Sequence, residues 1–195
     1  MTPAVLRVDD GAAIPLDVGR WRSEPDGHEA ALLHHLVDPV LDIGCGPGRV
    51  PTALAASGRV ALGIDPAPAA AEEAARRGAP VLRRSVFSPL PGEGRWGTAL
   101  LLDGNVGIGG DPSTLLRRCR DLVRSGGQVI AELAAPGIAT QPLTVRVEVG
   151  SDAGPWFAWA VVGVDGWASV AREAGLNAMG FYTAGTRWFG RAVCP

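Results

Sequence analysis

The chain has 195 residues, of which 47% are apolar and 19% are charged, and its net charge is −2. A chain of this length buries about 70% of its unfolded surface, so it forms a core without disulfides or a metal, and its composition excludes a disordered or collagen-like protein. All 18 basic residues are arginine, which excludes chemistry that depends on lysine, and the acidic balance argues against nucleic-acid binding.

Up to residue 133, short apolar runs alternate with stretches that have the apolar periodicity of helices. Pro39, Gly58 and Gly78 end three of these helices. The predicted strands are 40–43, 59–64, 80–84, 98–102 and 128–133, and the predicted helices are 25–38, 49–57, 67–77 and 112–123, the last with Asp111 as its N-cap. This alternation predicts a parallel sheet with helices on both faces.

The pattern changes after Pro136, where polar and apolar residues begin to alternate. The predicted elements there are an antiparallel hairpin of 143–149 and 157–164, a helix at 165–174, and a closing strand pair of 179–183 and 186–193. No linker or repeat interrupts the chain, so the sequence predicts one domain. Its parts are a loose N-terminal arm (1–24), a first half (38–135) and a C-terminal half (136–195).

The loop after the first of these strands carries glycine at alternate positions, at Gly44, Gly46 and Gly48. Glycine lets the backbone turn sharply and lets a ligand approach without meeting a Cβ atom. The spacing lacks the third glycine of the dinucleotide fingerprint, because Arg49 stands in its place. Asp65 ends the next strand, where a carboxylate accepts hydrogen bonds from ribose hydroxyls. Together these features predict a site for a nucleoside cofactor other than NAD.

The sequence LDIGCGPG, followed by GIDP, resembles the class I, Rossmann-like methyltransferases that use S-adenosylmethionine (SAM). The likeness covers residues 38–135 and implies that this half binds SAM, with S-adenosylhomocysteine (SAH) as product, while 136–195 face the acceptor. The resemblance implies an α/β fold with a doubly wound, mostly parallel seven-stranded sheet, antiparallel C-terminal strands and an extra hairpin. The segment DGNVGIGGDP and an early RW pair resemble small actinobacterial members, which suggests secondary metabolism.

The resemblance also implies a set of cofactor-binding residues. They are Asp42, Gly44, Gly46, Gly48, Asp65, Pro66, Ser85, Val86, Asp103, Gly104 and Asn105. At the methionine end, the three loop glycines run beneath SAM, and Asp42 holds either the loop or the ammonium group. Asp103 and the two residues after it lie beside the transferred methyl, although Asp103 also fits a plain turn.

At the other end of SAM, the resemblance implies that Asp65 holds the ribose, although the same residue also fits a cap of the next helix. Pro66 lines the adenine edge. The family usually has an acid after the third strand that accepts from the adenine amino group, but this chain has Ser85 there. Adenine recognition then depends on the backbone of Val86. Trp21, in the arm, is a candidate to close over SAM.

No residue stands out as a catalytic base. Glu132 at the end of the fifth predicted strand and His28 near the arm are weak candidates, and each also fits a structural role. Methyl transfer mainly needs the two reacting atoms to be aligned at about 3 to 3.5 Å. An amine or thiol acceptor needs little help from a base, whereas a phenol or carbon acid needs more.

The C-terminal half is rich in aromatic residues, which predicts a small, apolar or aromatic acceptor. Strand alternation puts Phe157 and Trp159 on one face and Trp156 on the other. We expect one face to pack on the sheet and the other, the Trp156 face, to line an acceptor pocket or an oligomer interface. A monomer and a homodimer are both compatible with this pattern.

Two alternatives keep the SAM site but not methyl transfer: a cyclisation or rearrangement, and a non-catalytic partner subunit. Cys45, Cys119 and Cys194 form no CxxC motif, so neither a disulfide framework nor a metal site is expected. No apolar run reaches membrane-spanning length, and the first residues, MTPAVLRVDDG, carry acids where a signal peptide is apolar. The sequence therefore predicts a cytoplasmic protein without a membrane partner.

Overall fold

A computed structural model describes residues 4–195, and its helices and strands follow the predicted alternation. The strands are β1 (Ala4–Val8), β2 (Ala13–Leu16), β3 (Val40–Ile43), β4 (Ala61–Ile64), β5 (Val81–Leu82), β6 (Trp96–Leu101), β7 (Val123–Leu133), β8 (Gln141–Val149), β9 (Asp152–Ala153), β10 (Phe157–Val161), β11 (Asn177–Ala184) and β12 (Arg187–Val193). The α-helices are α1 (Val18–Arg22), α2 (Gly27–His34), α3 (Arg49–Ala56), α4 (Pro68–Arg76), α5 (Pro112–Leu122) and α6 (Trp167–Glu173).

The main sheet has seven strands in the order β11-β12-β7-β6-β3-β4-β5. The five strands from β7 to β5 pair in parallel, whereas β12 pairs antiparallel with both β7 and β11. This confirms the expected mostly parallel sheet with antiparallel C-terminal strands. The chain leaves β3 toward one edge and returns to β6 on the other side of it, so the strand order reverses between β3 and β6. Open α/β sheets bind ligands at such a point, beyond the carboxyl ends of the strands.

Alternate residues of the central strands pack on opposite faces of the main sheet. Leu41 and Ile43 of β3 and Leu101 of β6 lie in one core cluster with side chains of α5 and α6. Val40 and Leu100, from the same two strands, lie in a second cluster with side chains of α2 and α3. Because both faces are covered, every residue of β3 and β6 is buried. This confirms the doubly wound arrangement.

A second, antiparallel sheet has the order β10-β8-β1-β2, with β9 paired to β8. The predicted hairpin is present, since Phe157 of β10 lies opposite Val145 of β8. The prediction of a loose N-terminal arm was wrong, because β1 pairs with β8 along its whole length and β2 pairs with β1. The partner strand lies far along the chain, so no pattern within the arm reveals the pairing. Residues 1–3 of the arm lie outside the described residues.

Local signals set the starts of the helices on either side of β3 and of the helix that follows β6. Asp111 caps α5 as predicted, because its carboxylate accepts a hydrogen bond from the Thr114 N–H at 3.1 Å. Asp26 caps α2 in the same way through the Glu29 N–H at 2.8 Å. α3 has no side-chain cap and begins directly after the left-handed Gly48. The start of α3 is thus open toward the glycine loop.

Candidate functional site

The three glycines between β3 and α3 all have left-handed backbone conformations, with φ of +74° at Gly44, +53° at Gly46 and +83° at Gly48. A Cβ atom at Gly44 would lie 2.5 Å from Asn105 Nδ2, and one at Gly48 would lie 2.8 Å from the Cβ of Ala79. These two glycines therefore allow close packing. A Cβ at Gly46 would meet nothing within 4 Å, so Gly46 presents bare backbone to open space.

Asp42 lies on β3 just before this loop and is only 4% exposed. Burial, together with the nearby Asp103 and Asp65 carboxylates, raises the pKa of its carboxyl to about 8. No N–H or O–H of residues 4–195 donates a hydrogen bond to it. A buried carboxylate is costly without a partner, so Asp42 fits a cationic group of a ligand.

Asp65 directly follows β4 and connects the glycine loop to the start of α4. Its Oδ2 accepts a hydrogen bond from the Gly46 N–H at 3.0 Å, and its Oδ1 accepts one from the Ala67 N–H at 2.8 Å. Burial raises the pKa of Asp65, and these two hydrogen bonds partly oppose that shift. Each oxygen has a second lone pair, so the carboxylate can still accept from two hydroxyls.

Ser85 and Val86 follow β5 and offer different groups to a ligand. The Ser85 hydroxyl accepts from the Phe87 N–H at 3.3 Å, and the Val86 carbonyl accepts from Arg118 Nε at 2.9 Å. The Val86 N–H is buried but has no acceptor within residues 4–195. A buried N–H group without an acceptor is uncommon in folded proteins, which makes Val86 N a candidate donor to a ligand.

The turn after β6 carries Asp103 and Asn105. Asp103 has φ of +54°, the one left-handed conformation outside glycine in the described chain. Asn105 Nδ2 donates to the carbonyls of Ile43 at 3.0 Å and Gly44 at 2.9 Å. Because both partners are carbonyls, the amide nitrogen is the atom that must face them. The turn after β6 thus braces the loop after β3.

These residues surround a cavity of about 660 Å³, named here the glycine-loop cavity. The predicted site residues that line it are Asp42, Gly44, Gly46, Asp65, Pro66, Ser85, Val86, Asp103 and Asn105. Gly48 is absent from the lining because it packs against α4, and Gly104 lies outside it as well. Trp21 of α1 contributes to the wall.

A second cavity of about 450 Å³, named here the sheet cavity, lies between the antiparallel sheet and the turn after β6. Its apolar lining residues include Leu6, Ile14, Leu16, Val147 and Val162. The two cavities have five lining residues in common, named here the shared wall: Trp21, Asp103, Asn105, Phe157 and Trp159. Ligands in the two cavities would therefore meet at this wall.

An ion-pair network that the sequence analysis missed lies beside the shared wall. Its carboxylates are Glu29, Asp103 and Glu132, and its guanidinium groups are Arg20, Arg49 and Arg187. Asp103 pairs with Arg20 and Arg49, each at 2.9 Å. The three positive charges balance the three negative ones. The one sign of this network in the sequence is Arg49, which stands at the start of a helix where the dinucleotide fingerprint has its third glycine.

The two candidate bases have different positions. Glu132 lines the sheet cavity, where its Oε2 accepts from the Asp103 N–H at 2.6 Å and contacts Arg187 at 2.5 Å. Burial alone would raise the pKa of Glu132, but the Arg187 and Asp103 hydrogen bonds outweigh it and lower that pKa. Glu132 is thus held as an ionised partner. The structure does not bring His28 to the site, because its side chain is exposed on α2 and lines neither cavity.

Trp156 itself lies outside both cavities. It is 44% exposed and stacks under the Arg146 guanidinium at 4.6 Å. Phe157 and Trp159, on the opposite side of the strand, form part of the shared wall. Ala158 lines the glycine-loop cavity and Ala160 lines the sheet cavity, so residues of both faces of β10 contribute to the cavities.

Within residues 4–195, no group of three His, Cys, Asp or Glu side chains is arranged to hold a metal ion. None of the helices in this part of the chain combines the length and apolar character that crossing a membrane requires.

Comparisons with known proteins point to one kind of domain. Residues 41–131 match the sequence model of a family described as a methyltransferase domain. This segment runs from β3 to β7 and contains the glycine loop, Asp65 and the turn after β6. A search of curated protein sequences found no match.

Several solved methyltransferase structures have a similar fold. A SAM-dependent methyltransferase from Bacteroides fragilis, in complex with SAH, has 19% identity and a TM-score of 0.82 over 98% of this chain and 87% of that one. The CcbJ methyltransferase from Streptomyces caelestis has 19% identity and a TM-score of 0.66 over 89% and 97% of the two chains. The 1,6-didemethyltoxoflavin-N1-methyltransferase from Burkholderia thailandensis, solved with 1,6-didemethyltoxoflavin and SAH, has 22% identity and a TM-score of 0.62 over 91% and 81%. At these identities the likeness establishes the fold.

Proposed function

We propose that this chain, whose residues 41–131 match a methyltransferase-domain family and whose fold is similar to that of a SAM-dependent methyltransferase, transfers a methyl group from SAM to a small, apolar or aromatic organic acceptor. The observation that carries the proposal is the pair of cavities that meet at the shared wall. Methyl transfer needs donor and acceptor held in line at about 3 to 3.5 Å. Adjacent sites with a common wall provide that arrangement.

The methionine end of SAM fits the part of the glycine-loop cavity around Asp42 and Gly46. Bare backbone at Gly46 leaves room for the ligand to lie on the loop. Asp42 has a buried carboxyl group that receives no hydrogen bond from residues 4–195, and an ammonium group would supply both a positive charge and hydrogen-bond donors. With Asp65 on the same cavity, the site suits a ligand with net positive charge.

The nucleoside end of SAM fits the part of the same cavity between β4 and β5. Asp65 would accept from the ribose hydroxyls with the lone pairs that its two backbone hydrogen bonds leave free. The Val86 N–H would donate to a ring nitrogen of adenine. Pro66 and Phe87 supply apolar lining there. Ser85 offers only a neutral hydroxyl to the adenine amino group, which is a weaker acceptor than a carboxylate.

When bound, SAM supplies a methyl group that is already activated by its positively charged sulfur. The tasks left to the protein are alignment and exclusion of water. Trp21, Phe157 and Trp159 would exclude water from the shared wall. Asn105 and Asp103 would keep the ends of β3 and β6 in register, since Asn105 hydrogen-bonds the glycine loop and Asp103 is fixed by two arginines.

The acceptor is expected to need little help in losing a proton. No histidine or tyrosine lines either cavity within the described chain. Burial raises the pKa of the Cys45 thiol well above its ordinary value, and Glu132 is held ionised by Arg187. Amines and thiols react without a strong base. The lining of the sheet cavity by Leu6, Ile14 and other apolar residues favours an acceptor with an apolar or aromatic body.

Calorimetric titration of the purified protein with SAM, SAH and NAD tests the proposal. Micromolar binding of SAM and SAH without binding of NAD would support it. Failure of both SAM and SAH to bind would overturn it. With SAM bound, release of SAH on incubation with small aromatic amines and thiols would establish transfer. Conversion of a substrate with SAM bound but without formation of SAH would instead favour a cyclisation or rearrangement at the same site.

A further inference from the structure

Helix α1 holds Trp21 against both cavities and has charged residues on either side of it. Arg20 pairs with Asp103 at 2.9 Å, at the end of β6. Arg22 donates two hydrogen bonds to Glu73 of α4, at 2.9 and 3.1 Å. The turn after β6 and helix α4 both contribute residues to the glycine-loop cavity. The ion pairs thus tie α1 to two separate parts of the wall.

Burial of side chains contributes little to the position of α1. The helix has five residues, none of which is buried. Isolated helices of this length do not persist in water. Its N-cap is local, since Asp17 accepts from the Arg20 N–H at 2.9 Å. The position of α1 over the cavity therefore depends on the contacts of Arg20, Trp21 and Arg22.

We propose that Arg20 and Arg22 are positioning residues that latch Trp21 over bound SAM, and that the Arg22–Glu73 pair is the part of the latch that opens to let the cofactor exchange. This inference rests on the proposed function. Arg22 is the more exposed of the two arginines, at 50% of its side chain against 27% for Arg20. An exposed pair is weak and screened by salt, so it breaks more readily than the Arg20–Asp103 pair inside the network.

The Arg22–Glu73 pair is tested by a double-mutant cycle on SAM dissociation. The variants are Arg22→Gln, Glu73→Gln and the double variant, with the dissociation rate measured by stopped-flow displacement of SAM by excess SAH. An exposed pair of this kind is worth up to about 1 kcal/mol, so each single variant is expected to release SAM about two to five times faster. The double variant should release it no faster than either single one. Raising the salt concentration should speed release from the wild type and leave the double variant nearly unchanged.

Asp121→Asn is the matched control for the loss of an exposed ion pair. It removes the partner of Arg120, at 3.1 Å, and neither residue lines a cavity. Its SAM dissociation rate should equal that of the wild type. The melting temperature of each ligand-free variant should also stay close to that of the wild type. A purely structural role of the Arg22–Glu73 pair would lower the melting temperature and leave dissociation unchanged.

Trp21 is tested by comparing Trp21→Ala with Trp156→Ala. Trp156 is an exposed tryptophan outside both cavities, so its loss should leave SAM affinity unchanged. Loss of Trp21 should weaken SAM at least tenfold. Unchanged affinity in Trp21→Ala, or additive effects in the Arg22–Glu73 cycle, would overturn the latch while SAM binding by the wild type stands. Absence of SAM binding by the wild type would overturn the proposed function and the latch with it.

Discussion

The side chain of Asn105 lies directly against the backbone of Gly44, with Nδ2 donating to the Gly44 carbonyl at 2.9 Å. The same nitrogen donates to the Ile43 carbonyl at 3.0 Å. This contact joins the turn after β6 to the loop after β3, across the place where the strand order reverses. It leaves no room for a side chain at residue 44, where a Cβ atom would lie 2.5 Å from Nδ2.

Gly44→Ala is therefore expected to destabilise the fold and the site together. Alanine at φ of +74° is strained, which costs about 1–3 kcal/mol, and the Asn105 amide must move away. The melting temperature should fall by about 5–10 °C in a chain of this size, and SAM affinity should fall because the loop is displaced. Thermal denaturation and calorimetry measure the two effects. A variant with wild-type values for both would contradict the role assigned to this contact.

Gly46→Ala tests the contact of the loop with SAM separately from packing within the protein. A Cβ at this position meets no protein atom within 4 Å, so the loss of stability should be limited to backbone strain of about 1–2 kcal/mol. The new methyl group would occupy the surface on which SAM is proposed to lie. SAM should bind at least tenfold more weakly, with a smaller drop in melting temperature than in Gly44→Ala. Equal losses of stability in the two variants would show that Gly46 is a packing glycine.

The main sheet was predictable because its signals are local. Val40 to Ile43 is a short apolar run next to glycines, and Asp111 caps its helix through a residue three positions later. The glycine loop and Asp65 were recognisable for the same reason. Their positions at the ends of adjacent strands follow from the parallel order of β3 and β4.

The antiparallel sheet and the charged network were not predictable because their contacts join distant parts of the chain. Arg187 pairs with Glu29 across almost the whole sequence, and β1 finds its partner in β8. Nothing near these residues indicates the partner. The proposed acceptor side depends on this second sheet, so the sequence identified an aromatic region but not which of its aromatic side chains line a cavity.

Asp65 accepts two backbone hydrogen bonds. Asp65→Asn tests its proposed second role, which is to bind the ribose of SAM. The Gly46 N–H and the Ala67 N–H donate to different oxygens of Asp65, so asparagine keeps one of these two hydrogen bonds and cannot accept from both ribose hydroxyls. SAM should bind at least tenfold more weakly, a loss of about 1.4 kcal/mol or more. Asp111→Asn is the control, because Asp111 also binds backbone N–H groups but lines neither cavity. If a folded Asp65→Asn variant binds SAM with unchanged affinity, Asp65 has only a structural role at the start of α4.

The raised pKa of Asp42 predicts that SAM binding is coupled to proton release. With a pKa of about 8 in the ligand-free protein, the carboxyl is protonated at pH 6 to 7. An adjacent ammonium group favours the ionised form, so SAM binding should expel this proton. SAM affinity should therefore rise as the pH increases from 6 toward 8. Calorimetry in buffers of different ionisation enthalpy measures the number of protons released when SAM binds. Asp42→Asn should abolish both the proton release and the pH dependence of SAM affinity.

The same pKa has the opposite effect on the stability of the ligand-free protein. The unfolded chain has an ordinary Asp pKa near 4, so between about pH 4 and 8 the folded state binds a proton that the unfolded state does not. Stability should fall as pH rises through this window, because the unfolded state is favoured by proton loss. Asp42→Asn should remove this contribution. A wild type and variant with parallel stability–pH curves would contradict the buried, unpartnered state of Asp42.

Glu132 is expected to stabilise the fold rather than to act as a base. Its pKa is lowered despite burial, chiefly by Arg187, so its contribution is present above the ordinary Glu pKa and is lost as the pH falls through the lower folded value. Glu132→Gln leaves Arg187 partly unpaired and should lower the free energy of unfolding by about 2–4 kcal/mol at pH 7. The difference from the wild type should shrink below pH 4. Normal stability combined with abolished methyl transfer would instead identify Glu132 as the base.

Ser85 is the one position in the proposed adenine site where a substitution is expected to improve binding. Ser85→Asp would place a carboxylate where the serine hydroxyl lines the cavity, with Arg84 adjacent in the chain and also on the lining. A charged acceptor for the adenine amino group should tighten SAM by about threefold to tenfold, since such hydrogen bonds exceed neutral ones. The residue can still accept from the Phe87 N–H, as serine does.

Two comparisons distinguish a hydrogen bond to the adenine amino group from a nonspecific effect of the added negative charge. Ser85→Asn has nearly the same shape as the aspartate without the charge, and should gain less affinity. An SAH analogue that lacks the 6-amino group should bind equally well to the wild type and to Ser85→Asp, because nothing is left for the carboxylate to accept. If Ser85→Asp raises the affinity for the analogue as much as the affinity for SAH, the new carboxylate does not act through the adenine amino group but through its charge alone. The adenine amino group would then lie elsewhere than beside residue 85.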